Sequence, residues 1–216
     1  MIRRIIEEYG SEPMPDHVRE DPFRVLIGCI LSQRTKDETT DAAYRRLFSR
    51  YSGPEDLARA DPSEIEKLIY PVGFYRNKAR TIVKAAQFIL EEFGGKVPDR
   101  FEDLLKIPGI GRKCANIVLA YAFGKPAIPV DTHVFRVAKR LGIAPEDAKP
   151  EDVEDALKRV VPREYWIPVN HALVRFGRAV CRPVRPRCES CPFTSVCKYY
   201  REHVASTSRS GGSSKG

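Results

Sequence analysis

Apolar residues recur along this chain at three- and four-residue spacing almost from end to end, the period of helix faces. Ile2, Ile5, Ile6 and Tyr9 share one face, with Arg3–Glu7 and Arg4–Glu8 placed as i,i+4 pairs on the other. Residues 22–34, PFRVLIGCILSQR, are apolar nearly all round, which predicts a central buried helix. Amphipathic segments follow at about 38–50, 63–70, 77–92, 101–106 and 112–123. After Asp131 come further helices near 132–141, 151–160 and 165–180. No alternating strand pattern survives beside these. The predicted class is all-α.

One design occurs twice. LIYPVGFYRNKARTIV (68–83) and LLKIPGIGRKCANIV (104–118) each carry a Leu–aliphatic pair, a Pro/Gly break and a basic restart into an apolar helix. The pair reads as a duplicated helix–hairpin–helix that presents backbone N–H groups at a helix start. In the second copy, Gly109 and Gly111 let the backbone turn tightly and approach another surface without a Cβ in the way. A helix start offers its N–H groups to an anion. Arg112 and Lys113, however, oppose the helix dipole, which favours negative charge at that end. A phosphate resolves the conflict for Gly109, Gly111 and Arg112. In the following helix, Cys114, Ile117, Val118, Tyr121 and Ala122 form an apolar stripe, which predicts that Lys113 and Asn116 face solvent or a cleft. A plain glycine-rich turn accounts for Pro-Gly-Ile-Gly by itself; the two cations and the second copy favour DNA.

Composition sharpens this reading. At 42% hydrophobic and 31% charged residues in 216, the chain is expected to be a soluble globular protein. Its apolar runs fall short of a membrane span, and MIRRIIEEYG lacks a signal-peptide core, so a cytoplasmic, nucleoid-associated location in a prokaryote is expected, with no membrane partner. Lys and Arg outnumber Asp and Glu by 37 to 29, a net +8 that suits a polyanionic partner. Three Asn, two Gln and two Met beside 17 Pro point to a thermophilic source. The Ser/Gly-rich end, residues 205–216, is expected to be disordered.

The six cysteines divide into two kinds. Cys29 and Cys114 sit inside apolar helical patterns and read as small buried hydrophobes. Cys181, Cys188, Cys191 and Cys197 form C-x6-C-x2-C-x5-C, which reads as a four-thiolate site for zinc or an iron–sulfur cluster. Between the first two ligands, RPVRPR places Arg182, Arg185 and Arg187, either a solvated loop or a finger presenting arginines to phosphates.

Two residues carry candidate chemistry. A lysine that attacks carbon to form a Schiff base must be held partly deprotonated, by desolvation or by a neighbouring cation, and Lys113 has Arg112 beside it. In VDTHVFRV, Asp131 just precedes a helix, where an aspartate commonly serves as a plain N-cap. An amine and a carboxylate at two helix starts can instead perform covalent chemistry together.

These features resemble the endonuclease III family of DNA base-excision glycosylases, within the helix–hairpin–helix superfamily. The likeness rests on the hairpin lysine in IPGIGRKCAN, the VDTH segment and the C-x6-C-x2-C-x5-C loop, and covers about residues 1–200. It implies a six-helix barrel domain with the hairpin at about 18–127. It also implies a second helical domain, from 1–17 and 128–204, carrying a [4Fe–4S] cluster. It implies that Lys113 is the nucleophile and Asp131 the assisting carboxylate. The expected function is a bifunctional DNA N-glycosylase and AP lyase. It would act as a monomer on double-stranded DNA with oxidised or otherwise damaged pyrimidines, or with abasic sites, flipping the base out of the duplex. Many members have a Gln that plugs the hole left by that base; here Gln33 stands one position earlier and Arg34 falls at that place. A wedging Leu in the other hairpin-like turn is replaced by Phe74, followed by Tyr75. The alternatives are a mismatch glycosylase for T or U opposite G, and a non-catalytic DNA-binding module with a structural metal.

Overall fold

The computed structural model describes residues 1–10 and 21–205. Among them there is no strand, and no helix is long and apolar enough to cross a membrane. Residues 21–129 form one compact unit, and 1–10 together with 130–205 form another. The expectation for the Ser/Gly-rich end lies outside the described residues from 206 onward, as does the stretch around residue 18 where the barrel was expected to begin.

The 21–129 unit is built around the helix that is apolar on every side. This is α2, Pro22–Ser32, preceded by the eight-residue α1, Ile2–Tyr9, of the other unit. Proline at its first position and the Asp21 carboxylate, which accepts from Phe23 N (3.0 Å) and Arg24 N (3.2 Å), fix where it starts. Every residue from Val25 to Leu31 is buried. Around it pack α3 (Asp37–Arg50), α6 (Tyr75–Phe93) and α8 (Arg112–Ile117), with α4 (Pro54–Ala58) and α5 (Pro62–Ile69) seated on α6. A single turn, α7 (Phe101–Leu104), leads into the hairpin. Helix α6 ends where Gly94 takes a left-handed conformation (φ 59°) and Gly95 N–H reaches back to Ile89 O at 3.0 Å.

Three local features depart from the periodicity. Helix α4 was not expected, because its five residues hold one buried apolar side chain, Leu57, and so no repeat to detect. The segment expected as one α-helix over 112–123 changes to a π-helical turn at Val118–Ala122. Asn116 does not face solvent or a cleft: it is buried, with a partner, because Cys114 through Ala120 are enclosed on all sides.

In the other unit, α1 packs on α11 (Trp166–Ala179), which also contacts α9 (Thr132–Leu141); α10 (Pro150–Val160) lies against α9. Phe176 of α11 is the hub, with edge-to-face contacts to Tyr9 at 5.4 Å and Phe193 at 5.7 Å. Ile5 of α1 is fully buried there. One apolar stripe on an eight-residue helix is therefore enough to tie the chain's start to its last third.

Candidate functional site

The hairpin turn is tight for a steric reason. Gly109 has φ 83°, and a Cβ at that position would run into the Thr81 methyl group. Gly111 caps α8 in extended backbone, and nothing lies within 4 Å of where its Cβ would be. Arg112 and Lys113 open the helix. The Arg112 guanidinium stands 5.0 Å over the Phe101 ring, whereas Lys113 is exposed.

Behind that turn lies a contact the sequence did not announce. Cys29 and Cys114, both buried, hydrogen-bond to each other, which pushes the Cys29 thiol up and pulls that of Cys114 down to about 7. The Gln33 amide donates to Gly109 O at 3.0 Å and lies 3.8 Å from Cys114 Sγ. Gln33 is thus committed to the hairpin turn, while Arg34 sends its guanidinium over the Phe74 ring at 5.7 Å. Gln33, Arg34, Phe74 and Gly109 line one open pocket of about 300 Å³ with Ile30, Asn77, Lys78 and Thr81. Tyr75 is outside that lining and packs edge-on against Tyr70 at 5.4 Å.

Backbone strain picks out the same places. Among the described residues, the non-glycine residues with positive φ are Arg34 (53°), Phe74 (58°) and Arg185 (48°). Each costs on the order of 1–2 kcal/mol relative to ordinary backbone, and such outliers cluster at functional sites. All three belong to the set expected to touch DNA, and Phe74 keeps 61% of its surface exposed.

On the second unit, Asp131 caps α9: its Oδ1 accepts from His133 N (2.9 Å) and Val134 N (2.8 Å). Both bonds fall on one oxygen, and Oδ2 carries neither. The cap reading of this residue is therefore real, and the same bonds hold its carboxylate in one orientation.

From α9, Arg136 and Arg140 reach into the cysteine loop. Arg136 donates to Cys181 O (3.1 Å) and Gly177 O (2.9 Å). Arg140 donates to Arg182 O (2.6 Å) and Pro183 O (3.0 Å), and stacks 4.4 Å over Tyr199. These i,i+4 arginines were missed, and their only signal was a repeated cation on the helix after Asp131. Arg136 holds the entry to the cysteine loop and Arg140 the first two carbonyls of RPVRPR, which leaves Arg185 and Arg187 exposed. Cys181, Cys188, Cys191 and Cys197 wall a single cavity, and no disulfide joins them. Among the described residues, no three cysteine sulfurs lie within 4.8 Å of one another. Burial first, then the neighbouring thiols, push Cys188 up, and burial leads the rise at Cys191.

Residues 27–163 match the model of the HhH-GPD superfamily base excision DNA repair proteins. The chain belongs to that superfamily. It is 46% identical to endonuclease III of Thermotoga maritima over 93% of this chain and 94% of that protein. It is 42% identical to endonuclease III of Bacillus subtilis over 84% and 83%. A trapped endonuclease III–DNA covalent intermediate superposes with TM-score 0.83 at 39% identity, over 93% of this chain and 95% of that one. A thermostable thymine-DNA glycosylase gives 0.85 at 28%, over 93% and 94%. This HhH-GPD member is a base-excision repair enzyme of the DNA glycosylase/AP lyase class.

The hairpin geometry has a direct test. Gly109→Ala is expected to destabilise through two separable costs, about 1–2 kcal/mol for a left-handed alanine plus the collision with Thr81. In a Thr81→Ser background, which removes the methyl but keeps the hydroxyl bonded to Asn77 O, only the collision should be recovered. Urea midpoints of the four proteins measure both; a neutral Gly109→Ala would mean that the turn is not constrained as described.

Proposed function

We propose that the chain releases damaged pyrimidines from duplex DNA and then cleaves the strand, with Lys113 as nucleophile and Asp131 as the carboxylate that assists it. The observation that carries this reading is the likeness to an endonuclease III held covalently on DNA, together with a lysine exposed at the first turn after the hairpin. The Lys113 amine attacks the sugar C1′. The bond from C1′ to the base breaks, its electron pair leaves with the base, and the base takes up a proton. Loss of protons from the lysine nitrogen, with opening of the sugar ring, gives an imine between Lys113 and C1′. Removal of a C2′ proton then expels the 3′ phosphate, and water hydrolyses the imine to free the enzyme. Positive charge develops on the sugar in the first step, and the oriented Asp131 carboxylate stabilises it electrostatically.

The strained, exposed Phe74 and Arg34 suit the two tasks that extrusion sets, wedging the stack and filling the gap. Tyr75 flanks them. Gly109, Gly111 and Arg112 suit a phosphate at the hairpin, and Arg185 and Arg187 suit phosphates at the cysteine loop. Gln33 contributes by holding the turn beneath Arg34.

The cysteine loop supports a [4Fe–4S] cluster on Cys181, Cys188, Cys191 and Cys197. A single zinc, with Zn–S of about 2.3 Å, needs all its sulfurs about 3.8 Å apart, whereas no three of these come within 4.8 Å of one another. When bound, the cluster cross-links the loop and supplies no bond-breaking step. A second reading, removal of thymine from mismatches, is favoured by the thymine-DNA glycosylase likeness; duplexes bearing thymine glycol, uracil, T·G or an abasic site separate the two.

Borohydride should trap a covalent complex of the protein with damaged duplex, and Lys113→Gln should abolish trapping while DNA binding survives. Asp131→Asn keeps a capping side chain, since Asn and Asp are nearly equivalent there. It should therefore fold normally yet release base at a rate lowered by about a hundredfold or more. Trapping by Lys113→Gln would move the nucleophile elsewhere, and a fully active Asp131→Asn would reduce that residue to a cap.

Replacing Arg185 and Arg187 by Ala should weaken binding to damaged and undamaged duplex alike. Each lost phosphate contact should flatten the plot of log K against log[salt] by about 0.9. An unchanged slope would leave the loop merely solvated.

Cys188→Ala should lose the yellow-brown colour and the bound iron, with a lower melting temperature, because a four-ligand site contributes directly to folding. Colourless wild-type protein containing zinc would overturn the cluster assignment.

A further inference from the structure

The first turn of α6 holds a buried lysine that the chemistry above does not use. Lys78 is 5% exposed and sits within the apolar face formed by Ala79, Ile82, Val83 and Ala86. Its ammonium has three donors and meets three acceptors: Leu31 O at 2.7 Å, Gln33 O at 2.5 Å and Thr35 Oγ1 at 3.1 Å. Two of these acceptors are carbonyls at the C-terminal end of α2 and just beyond it, where a helix dipole favours a cation. Burial pulls Lys78 down to about 8, while the three acceptors favour the ammonium, so the group is cationic at neutral pH.

What the ammonium holds is more specific than a helix end. The Thr35 hydroxyl, besides accepting from Lys78, donates to Gln33 O at 3.3 Å and accepts from Gly73 N–H at 3.1 Å. Gly73 immediately precedes Phe74, and a Cβ on it would lie 2.8 Å from Arg34 O, so the two turns pass in direct backbone contact. Each turn carries one left-handed non-glycine residue, Arg34 in one and Phe74 in the other. Their side chains stack on each other at the surface. A pair of strained residues stays in place only where its surroundings over-determine it. Here the over-determination is the Lys78–Thr35–Gly73 chain of hydrogen bonds.

We propose that Lys78 is a positioning residue for base extrusion: its ammonium clamps the Leu31–Thr35 turn to the Val72–Phe74 turn and so fixes Arg34 and Phe74 as one preformed pair. This rests on the reading of Phe74 and Arg34 as the groups that enter the duplex. Lys78 touches neither DNA nor the reacting atoms. It spares the enzyme the ordering of two turns at the moment the base leaves the stack, the cost that preorganisation removes.

The test is a cycle among Lys78→Met, Thr35→Val and Phe74→Ala, scored by single-turnover base release from intact damaged duplex and by cleavage of a pre-formed abasic site. Lys78→Met keeps the apolar stem without the charge. Thr35→Val removes the bridging hydroxyl at a half-exposed position, and so keeps the test available if Lys78→Met folds poorly. Each is expected to slow base release about ten- to a hundredfold, the effect of a small misplacement of positioning groups. Abasic cleavage should stay within about threefold, since a missing base needs little extrusion. Combined with Phe74→Ala, neither should add a further loss, because both act through the same pair. Losses that multiply, or equal losses on both substrates, would overturn the proposal and leave Lys78 a structural residue. A Phe74→Ala protein with unchanged base release would remove the wedge reading itself, and this proposal with it.

Discussion

A helix with no polar face cannot lie on a surface, and that constraint organises the 21–129 unit. With every residue from Val25 to Leu31 buried, α2 must be covered on all sides, and α3, α6 and α8 supply the cover. The consequence appears at its C-terminal end. Its last carbonyls emerge among neighbouring elements, where they need donors that water cannot provide. Lys78 meets two of the acceptors there, and the Gln33 amide turns to the hairpin instead. The turn after α2, the turn before α6 and the hairpin before α8 are thereby gathered at one end of the buried helix, which is where this unit's candidate DNA contacts stand.

The second unit solves a related problem with different means. Its cysteine loop has little regular structure, so its carbonyls have no ladder partners. Arg136 and Arg140, one turn apart on α9, take three of them, and Arg136 also takes Gly177 O of α11. The same helix begins at Asp131, so one element both orients the candidate catalytic carboxylate and holds the cysteine loop. Rigid support beneath displayed residues recurs in both units. Arg34 and Phe74 are propped from below by a lysine, and Arg185 rises from a segment pinned by arginines.

Much of this was legible in the residues. The all-α class followed from periodicity, and the family from the hairpin lysine, the VDTH segment and the spacing of four cysteines. The turn at Gly109 and the cap at Asp131 could be located because turn and cap chemistry is local: a left-handed glycine and a capping aspartate leave marks within a few residues. Lys78 left a weaker mark, a lone cation on an apolar face, which reads equally well as a lysine reaching past that face to solvent.

The sequence by itself determined helices, caps and the hairpin, because each depends on neighbours within about one or two turns. Only the tertiary structure decided where polar side chains spend their hydrogen bonds. Gln33 pairs with a carbonyl 76 positions away, Lys78 with one 47 away, and Arg140 with carbonyls more than 40 away. Asn116 was assigned to the wrong environment for the same reason, since burial is set by what covers a helix and not by the helix's own stripe. A buried polar group must find a partner, but the residue types say only that it will, and the fold says which.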